Sequence, residues 1–408
     1  MVTMNECRAC RSRRMYLFMG MGPHPPANAF LKPKHLGTNE FVHDLDGHVC
    51  LECGLIQVPD VIPADFFRDY LYVPSASPLM HEHFEGLSQV ADGILGSGEL
   101  IVDIGSNDGL FLSRCLARGH RVLGIDPAAN LCEIARGRGV EVVNDYFNDD
   151  LARSTRSKYG PAKIIVTTNT FNHIDDLHGF VQGVRTLLAD DGIFIIEVPH
   201  SLDLVEKNEF DTIYHEHLSE FSVKSIVELF AFFDLEVFDI HRLDIHGGSM
   251  RVFGRKRREG HAAVSAEVER WLAMEREARL FDESTYDEFT KRVNQIRDEL
   301  LALLARLKSE GKRIAGYGAP AKGNTLLNYY DIGPDILDFL ADRNSLKQGL
   351  LSPGMHIPVV SPAEIEARKP DYLLILAWNF ADEVIQQQKD FRRDGGRFIL
   401  PIPEVKVV

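Results

Sequence analysis

"ELIVDIGSNDG", Glu99 to Gly109, is the stretch that decides the fold of the middle of this chain. A run of apolar residues ends in an acidic residue, and glycines and small polar residues then lead into the helix-like "LFLSRCLARG". Glycine lets the backbone approach a ligand closely, and the first amides of a helix point toward that ligand. We therefore predict a strand, a turn at Gly105 and Gly109, and a helix, arranged around a nucleoside-containing ligand.

The next predicted strand, "RVLGID", ends in Asp126. An acid about twenty residues beyond the glycine turn can accept hydrogen bonds from both ribose hydroxyls of a nucleoside. The turn reads DIGSNDG and not GxGxxG, so the pattern does not single out a dinucleotide. A doubly wound domain whose glycine turn is only structural remains the alternative at this point.

Length and composition limit the wider architecture. A chain of 408 residues is too long for one ordinary core, and we predict three domains, at residues 1–75, 76–285 and 286–408. The net charge of −15 argues against a nucleic acid as the main partner. No apolar run approaches the roughly 20 residues that cross a bilayer, so we expect no membrane partner and a cytoplasmic protein, as a monomer or small homo-oligomer.

Four of the six cysteines form two CxxC pairs near the start of the chain, Cys7 with Cys10 and Cys50 with Cys53. Each pair can sit on a tight turn that directs both thiolates to one point, and two such turns make the tetrahedral sulfur site that zinc prefers. A site with four protein ligands has no open position, so we predict a structural zinc. The Pro-rich "MGPHPPANAFLKP" between the pairs is long enough to reach a neighbouring site.

A second strand, glycine turn and helix start is predicted in "RIAGYGAPAKGNTLLNY", near the carboxyl end. Later strands complete a second doubly wound sheet, and amphipathic helices between roughly Ala262 and Lys308 precede it. Its glycines free backbone amides for an anion, and Lys322 adds a positive charge suited to phosphate. The GxG here, with Asp342 closing the next strand, is also typical of a nicotinamide dinucleotide site, although Gly323 departs from the GxGxxG spacing.

The segment "IYHEHLSEFS", Ile213 to Ser222, concentrates a tyrosine, two histidines and two glutamates. It could form a metal site, a proton-handling site or a polar surface turn. The HEH spacing is not the HExxH spacing that places two ligands on one face of a helix, which disfavours the metal site. Histidine has an unperturbed pKa near 6.5 and is suited to proton transfer at neutral pH.

With these residues in place, a family resemblance can be stated. "VDIGSNDG" with Asp126 resembles motif I and the second acidic position of class I S-adenosylmethionine methyltransferases, and "IIVTTNTFNHIDDL" and "DGIFIIEVPH" are similar to their fourth and fifth strands. The resemblance implies a Rossmann-like central domain that binds S-adenosylmethionine. The cofactor-binding residues it implies are Asp103, Gly105, Asn107, Gly109, Asp126, Asn169 and Thr170.

The ordered set of CxxC pairs, methyltransferase strands, YHEH and "GYGAPAKGN" resembles the sugar-nucleotide C-methyltransferases along nearly the whole chain. Those enzymes methylate 4-keto deoxysugars attached to a nucleoside diphosphate, usually at C3. The resemblance implies an α/β chain with three parts: a small zinc-binding domain, a class I methyltransferase domain and a carboxy-terminal doubly wound, Rossmann-like domain. The substrate it implies is a dTDP- or GDP-linked 4-keto deoxysugar.

The resemblance also implies roles for site residues. His217 would be the base, Tyr214 would contact the keto oxygen, and Glu216 would orient a histidine. His173 and a tyrosine of "DYLY", Tyr72 with Tyr70 as the alternative, would complete the active site. Lys322, Gly323, Asn324 and Arg251 would contact the substrate, chiefly its diphosphate, with Arg251 alternatively a strand-edge charge.

The chemistry explains why such an enzyme needs a polar cluster. A carbon next to a ketone becomes a nucleophile only when a proton is removed, so the site must supply a base and stabilise an enolate. Two other functions remain open from the sequence: a nicotinamide-dependent sugar-nucleotide oxidoreductase that uses the carboxy-terminal glycines, and a non-catalytic nucleotide-binding scaffold.

Overall fold

The structure is a computed structural model that describes residues 4–37, 40–59, 61–96, 98–245 and 247–408. Within these ranges the strands are β1 (Met15–His24), β2 (His43–Cys50), β3 (Ile56–Gln57), β4 (Leu100–Ile104), β5 (Arg121–Ile125), β6 (Val142–Val143), β7 (Ala162–Thr168), β8 (Leu188–Pro199), β9 (Ser219–Glu220), β10 (Leu235–Leu243), β11 (Ser249–Lys256), β12 (Ile314–Tyr317), β13 (Leu340–Ala341), β14 (Val359–Val360), β15 (Tyr372–Ile375), β16 (Arg397–Leu400) and β17 (Lys406–Val407). The helices are α1 (Pro78–Ile94), α2 (Leu110–Ala117), α3 (Ala129–Gly137), α4 (Asp149–Tyr159), α5 (Leu177–Leu187), α6 (Ser201–Glu206), α7 (Val223–Ala231), α8 (Ala266–Glu277), α9 (Glu283–Ser309), α10 (Ala321–Tyr329), α11 (Ala363–Arg368), α12 (Ala381–Gln387) and α13 (Lys389–Arg393).

The strands form three sheets. The central sheet has the order β10-β11-β8-β7-β4-β5-β6, and β6, β5, β4, β7 and β8 run parallel while β11 and β10 are antiparallel at one edge. All five residues of β4, "LIVDI", are buried, as expected for a strand that helices cover on both faces. This confirms the Rossmann-like central domain, and the carboxyl ends of β4 and β5 place Gly105 and Asp126 at one edge.

The carboxy-terminal sheet has the order β14-β13-β12-β15-β16-β17 and is parallel apart from β17. Its strand β12 leads through the predicted glycine turn into α10. This confirms a second doubly wound sheet in the chain.

The amino-terminal sheet is antiparallel and has the order β1-β2-β3-β9. Its last strand comes from far along the chain, since Ile56 pairs with Glu220 and Gln57 pairs with Ser219. The domain boundary after residue 75 stays a prediction. The amino-terminal sheet nevertheless includes β9, whose residues 219–220 lie far beyond that boundary. The YHEH segment is therefore held next to the amino-terminal domain.

The two predicted amphipathic helices are α8 and α9. The buried side chains of α9 recur every three or four residues, which is the spacing of one helix face: Tyr286, Phe289, Val293, Ile296, Leu300, Leu304 and Leu307. That face shares one hydrophobic core with β1, β2 and the carboxy-terminal domain. Each fully buried apolar side chain of this kind contributes about 1.5–3 kcal/mol of transfer free energy, so α9 joins the two ends of the chain firmly.

The apolar stripe of α9 is narrow and its other face is charged. In the portion of the chain that the structure covers, neither this helix nor any other has both the length and the apolar character that a bilayer span requires.

Candidate active site and metal centre

The four cysteines of the two CxxC pairs meet at one point. Cys7 starts a turn in which the Arg11 amide donates to the Cys7 carbonyl oxygen, and the Gly54 amide donates in the same way to the Cys50 carbonyl oxygen. Arg11 and Gly54 both have positive φ, at 62° and 76°. Each pair therefore lies on the tight turn that its spacing predicts.

The thiol geometry fits a zinc ion. The Sγ atoms of Cys7 and Cys53 are 3.6 Å apart, those of Cys10 and Cys50 are 3.5 Å apart, and all four lie within 4.8 Å of one another. Tetrahedral Zn–S bonds of about 2.3 Å require sulfur atoms about 3.8 Å apart. Three of the four cysteines are buried and Cys10 is partly so, which agrees with a structural site.

A cavity of about 380 Å³ opens at the carboxyl ends of the central strands. Six of the seven predicted cofactor-binding residues line it: Asp103, Gly105, Asn107, Asp126, Asn169 and Thr170. Both Asp126 carboxylate oxygens accept backbone amides, from Asn107 and from Ala128, each at 2.8 Å. Asp126 therefore also links the glycine turn after β4 to the end of β5.

The two glycines of the turn do different work. Gly105 has a φ of +77°, and a Cβ there would overlap the Thr170 hydroxyl, so the turn tolerates no side chain. Gly109 does not line the cavity. Its φ is +73°, and a Cβ there would be 2.8 Å from the Cβ of Ala135, so the structure assigns Gly109 to packing between α2 and α3 and not to cofactor contact.

The cavity offers a partner for a cation. Asp103 is 3% exposed, and its Oδ1 atom has no hydrogen-bond partner among the described residues. Burial, and then the charges of Asp126 and Glu197, raise the pKa of Asp103. An ammonium group beside Asp103 would therefore stabilise its carboxylate form. The amino group of S-adenosylmethionine fits this position.

The YHEH segment forms a hydrogen-bonded cluster around His217. The Tyr214 hydroxyl is 2.5 Å from His217 Nε2, and Glu220 Oε1 is 2.7 Å from His217 Nδ1. The side chains of His217 and Glu220 are only 12% and 2% exposed. The surface-turn interpretation is therefore wrong, and the polar groups of the segment face one another.

The glutamate that contacts His217 is Glu220 and not the predicted Glu216. Glu216 Oε2 accepts hydrogen bonds from the Tyr70 hydroxyl at 2.8 Å and from Asn28 Nδ2 at 2.7 Å, and its Oε1 accepts from the Asn28 amide at 3.2 Å. The prediction that Glu216 orients a histidine is corrected, because Glu220 occupies that position. Asn28 belongs to the Pro-rich loop, which does reach the neighbouring site.

His173 and the tyrosines of "DYLY" connect this cluster to the cavity. The His173 ring lines the cavity and lies 5.2 Å from the His217 ring. Both tyrosines line the cavity. The Tyr70 hydroxyl also joins the cluster through Glu216, whereas Tyr72 is 44% exposed. The Tyr72 carbonyl oxygen accepts from Asn107 Nδ2 at 3.2 Å, so Tyr72 lies beside the glycine turn. The geometry thus favours Tyr70, the alternative, over Tyr72.

Burial sets the protonation of the cluster. It lowers the pKa of His217 to about 3, assisted by the positive charge of Lys322, and it lowers the pKa of His173 well below its usual value. Burial also raises the pKa of Tyr214 well above 10. Both imidazoles are therefore neutral at neutral pH and able to accept a proton, while Tyr214 keeps its hydroxyl proton for donation.

Lys322 lies closer to this cluster than its place in the glycine turn suggests. Its ammonium group is 4.2 Å from the centre of the Trp378 ring, and Trp378 Nε1 donates to Asp211 at 2.8 Å. Burial lowers the pKa of Lys322, and the charges of Asp211, Glu209 and Glu220 oppose that lowering. Lys322 therefore lies beside Trp378, where its charge also acts on His217.

The other predicted substrate contacts face protein atoms. A Cβ on Gly323 would be 2.7 Å from Leu376 Cβ, so this glycine allows α10 to pack on the sheet. Asn324 is buried and donates to the Ala27 carbonyl oxygen at 2.8 Å. Arg251 is buried and pairs with Glu197 at 2.5 Å, so the structure does not bring Arg251 together with Lys322.

Glu220, Asn28 and Asp211 are the polar site residues that sequence reasoning missed. Glu220 was visible as the second glutamate of "IYHEHLSEFS", three residues after His217. Asn28 and Asp211 carried no local signal, because each reaches the site through a contact that is distant in sequence, with Glu216 and with Trp378.

Three family models match consecutive parts of the chain. A zinc binding domain matches residues 7–67, a methyltransferase domain matches residues 81–240, and a C-methyltransferase C-terminal domain matches residues 244–403. These segments correspond to the cysteine site, the cofactor cavity and the carboxy-terminal sheet.

Solved structures similar to the chain include magnesium protoporphyrin IX methyltransferase (ChlM) from Synechocystis PCC 6803 with bound S-adenosylmethionine. It is 13% identical, with 43% of this chain and 79% of that chain covered and a TM-score of 0.34. The glycopeptide N-methyltransferase MtfA, complexed with S-adenosylmethionine, is 12% identical, with 43% and 94% covered and a TM-score of 0.34.

Among characterised sequences, the C-methyltransferase NovU from Streptomyces niveus is 38% identical over 407 residues, which are 99% of this chain and 97% of NovU. The oxidoreductase and the non-catalytic scaffold are therefore set aside. The cofactor is S-adenosylmethionine, and the four cysteines form the zinc site. The chain belongs to the family of S-adenosylmethionine-dependent C-methyltransferases that carry an amino-terminal zinc-binding domain.

Proposed function

We propose that this enzyme methylates the carbon next to the ketone, at C3, of a 4-keto deoxysugar linked to thymidine or guanosine diphosphate. The order of the motifs along the chain supports this substrate class. So does a buried site that combines neutral imidazoles with a tyrosine hydroxyl, since an enolate mechanism needs both a base and a hydrogen-bond donor.

The observation that carries the proposal is the continuity between cavity and cluster. His173 lines the cavity that holds Asp103 and Asp126, and its ring lies 5.2 Å from the His217 ring. A small substrate that reaches His217 from this side would also lie next to a methyl donor in the cavity. Positioning of two reactants in this way is a large part of the catalysis of group transfer.

In the proposed reaction His217 accepts the proton from the sugar carbon, and the electron pair of that C–H bond enters the enolate. Tyr214 donates its hydroxyl hydrogen bond to the developing enolate oxygen. The bound cofactor supplies an electrophilic methyl group on its sulfonium. The new C–C bond forms as the S–C bond breaks, which leaves S-adenosylhomocysteine, and the proton leaves from His217.

The remaining residues shape the site around these steps. Tyr70 is held by Glu216, and Glu216 is in turn held by Asn28 of the Pro-rich loop. The neutral His173 next to His217 adds no charge that would oppose proton transfer to His217. We assign His173 and Tyr70 to the wall between cofactor and sugar.

The experiment that tests the substrate class is direct. The protein is incubated with S-adenosylmethionine and a panel of dTDP- and GDP-linked 4-keto deoxysugars, and products are examined by mass spectrometry for the gain of one methylene. We expect methylation of at least one 4-keto sugar and of none of the matching 4-hydroxy sugars. Methylation of the 4-hydroxy sugars would contradict the enolate mechanism.

The role of the base is tested with His217→Asn. We expect methyl transfer to fall by about 10²–10⁴-fold, the usual contribution of a general base. Affinity for S-adenosylmethionine, measured by calorimetry, should stay within about twofold because His217 does not line the cofactor cavity. His120→Asn, a change at a histidine that pairs with Asp92 and does not line the cavity, is the matched control. Unreduced transfer in His217→Asn would remove His217 from the mechanism.

A further inference from the structure

The side chains of Glu220, His217 and Tyr214 form a continuous hydrogen-bonded chain. Glu220 Oε1 is 2.7 Å from Nδ1 of the imidazole, and the Tyr214 hydroxyl is 2.5 Å from Nε2. A neutral imidazole carries its one N–H on either Nδ1 or Nε2. A hydrogen-bond acceptor at one nitrogen holds the proton there and leaves the lone pair on the other nitrogen. Glu220 thus controls which end of His217 can accept a proton.

We propose that Glu220 is the positioning residue of the reaction: as a carboxylate it holds the His217 proton on Nδ1 and leaves Nε2 as the basic nitrogen. The inference rests on the proposed function for its catalytic consequence, but not for the tautomer that it assigns.

The backbone fixes Glu220 where this role requires it. Glu220 lies in β9, where it pairs with Ile56 of β3 in the amino-terminal sheet. Its carboxylate is buried, and its Oε2 atom has no hydrogen-bond partner among the described residues. Glu216 cannot take the same role because Asn28 and Tyr70 occupy its oxygens.

The surroundings of Glu220 act on its protonation in opposite directions. Burial raises the pKa of Glu220 well above its ordinary value, and the positive charge of Lys322 opposes that rise in part. A hydrogen bond from His217 Nδ1, which lies 2.7 Å from Oε1, favours the carboxylate form. The titratable groups that face His217 are Tyr214, His173, Glu220 and Lys322, and the imidazole also has a hydrogen bond to the backbone of Thr212.

This arrangement gives each proton a defined path. The proton of the sugar carbon moves to Nε2, and the C–H electron pair stays on the sugar as the enolate. The imidazolium that forms is stabilised by the Glu220 carboxylate on Nδ1. In the structure the Tyr214 hydroxyl lies 2.5 Å from Nε2. When the sugar binds, this hydroxyl turns from Nε2 to the keto oxygen, which frees the Nε2 lone pair for the proton and leaves Tyr214 donating to the oxygen as the enolate forms.

The test of positioning uses Glu220→Gln, because an amide has the shape of the carboxylate but does not hold a proton on Nδ1 by charge. We expect proton abstraction to slow by about 10²–10⁴-fold, as when a triad carboxylate is replaced. Abstraction is measured as deuterium exchange at the sugar carbon, and calorimetric affinity for S-adenosylmethionine should be unchanged. Glu310→Gln, at an exposed glutamate, is the charge control and should match wild type. Wild-type exchange in Glu220→Gln would overturn the proposal.

A second readout does not depend on turnover. In protein with ¹⁵N-labelled histidine, the His217 signals are identified by their loss in His217→Asn. We expect wild type to show a protonated Nδ1 and a lone pair on Nε2, and Glu220→Gln to show a mixture of tautomers. If the wild-type proton lies on Nε2, the proposal fails even if the enzyme is active. If the tautomer is as expected but no 4-keto sugar is methylated, the proposed substrate class fails instead.

Discussion

The central and carboxy-terminal domains contain the same strand–turn–helix motif, but the motif has a different role in each. In each, a strand ends in a glycine turn, and the acid at the end of the next strand accepts two backbone amides. Asp126 accepts from Asn107 and Ala128 at 2.8 Å, and Asp342 accepts from Ala319 at 2.6 Å and from Asn344 at 2.7 Å. The first turn bounds the cofactor cavity, whereas in the second Ala319 is buried and Gly318 packs against Ala377.

The residues after the glycine account for the difference between the two turns. After Gly105 the chain continues with small polar residues and leaves space for a ligand. After Gly318 it continues with Ala319 and Pro320, and the Ala319 carbonyl oxygen accepts a hydrogen bond from Lys347 at 2.8 Å. A shared fold therefore does not imply a shared ligand, and the second turn serves to direct Lys322 and Asn324 toward the other domains.

The largest difference between the central and carboxy-terminal domains should follow the removal of zinc. The cysteines belong to the same hydrophobic core as the central sheet, and the amino-terminal sheet includes β9 with Glu220. Structural zinc sites contribute about 10–16 kcal/mol of apparent binding free energy. We expect one zinc per chain by metal analysis, and loss of methyl transfer by more than about 100-fold after chelation, while circular dichroism retains the signal of the carboxy-terminal sheet. Well below one equivalent in carefully purified protein would refute the site.

The next largest effect should come from the turn glycines. Gly105→Ala places a methyl group against Thr170 at a φ of +77°, and we expect affinity for S-adenosylmethionine to fall by about 100-fold or more. Gly318→Ala has a similar φ of +86°, and its Cβ would be 3.1 Å from that of Ala377. It should cost about 1–3 kcal/mol of folding free energy and leave cofactor affinity unchanged. Equal losses of affinity would mean that both turns hold the cofactor.

A smaller effect is expected from the two acids. Asp126→Asn weakens the acceptor at the end of β5, and we expect cofactor affinity to fall by about 10- to 100-fold, the value of one hydrogen bond to a charged group. Asp342→Asn should leave cofactor affinity within about twofold. Calorimetry with S-adenosylmethionine and with a nicotinamide dinucleotide measures both. Dinucleotide binding that depends on Asp342 would contradict the division of roles.

The smallest effect separates the two tyrosines beside the cavity. Tyr70→Phe removes the hydroxyl that donates to Glu216, and we expect kcat to fall by about 10-fold, since one hydrogen bond to a charged group is lost. Tyr72→Phe should change kcat by less than about twofold, because the part of Tyr72 that contacts Asn107 is its backbone. The reverse order would restore Tyr72 as the active-site tyrosine.

The sequence predicted the parts of the site that depend on residues close together in the chain. The CxxC turns and the turn from Asp103 to Asn107 are local; the structure brings the four cysteines together and places Asp103, Gly105 and Asn107 in the wall of one cavity. Gly109 and Gly323 were assigned to ligands and face Ala135 and Leu376, because glycine is equally required where helices pack closely. A sequence pattern does not distinguish these two reasons for a glycine.

The choice between Glu216 and Glu220 could not be made from the sequence. Both lie within three residues of His217, and only the pairing of β9 with β3 decides which carboxylate turns toward the ring. The position of Lys322 is similar, since it depends on how the carboxy-terminal domain packs against Asp211 and Trp378. Contacts between distant segments set the electrostatics, and a single sequence carries no periodic signal for them.

The membership of residues 219–220 in the amino-terminal sheet has an evolutionary consequence. The amino-terminal segment packs its cysteine site on the central domain and its β1–β2 hairpin on α9 and the carboxy-terminal domain. It is therefore part of both cores and not an exchangeable module. Recombination that imported a foreign amino-terminal segment would have to supply a β3 edge matched to Ser219 and Glu220, or lose the geometry of the histidine. We expect lineages of this enzyme to inherit the amino-terminal segment together with the segment around residues 219–220.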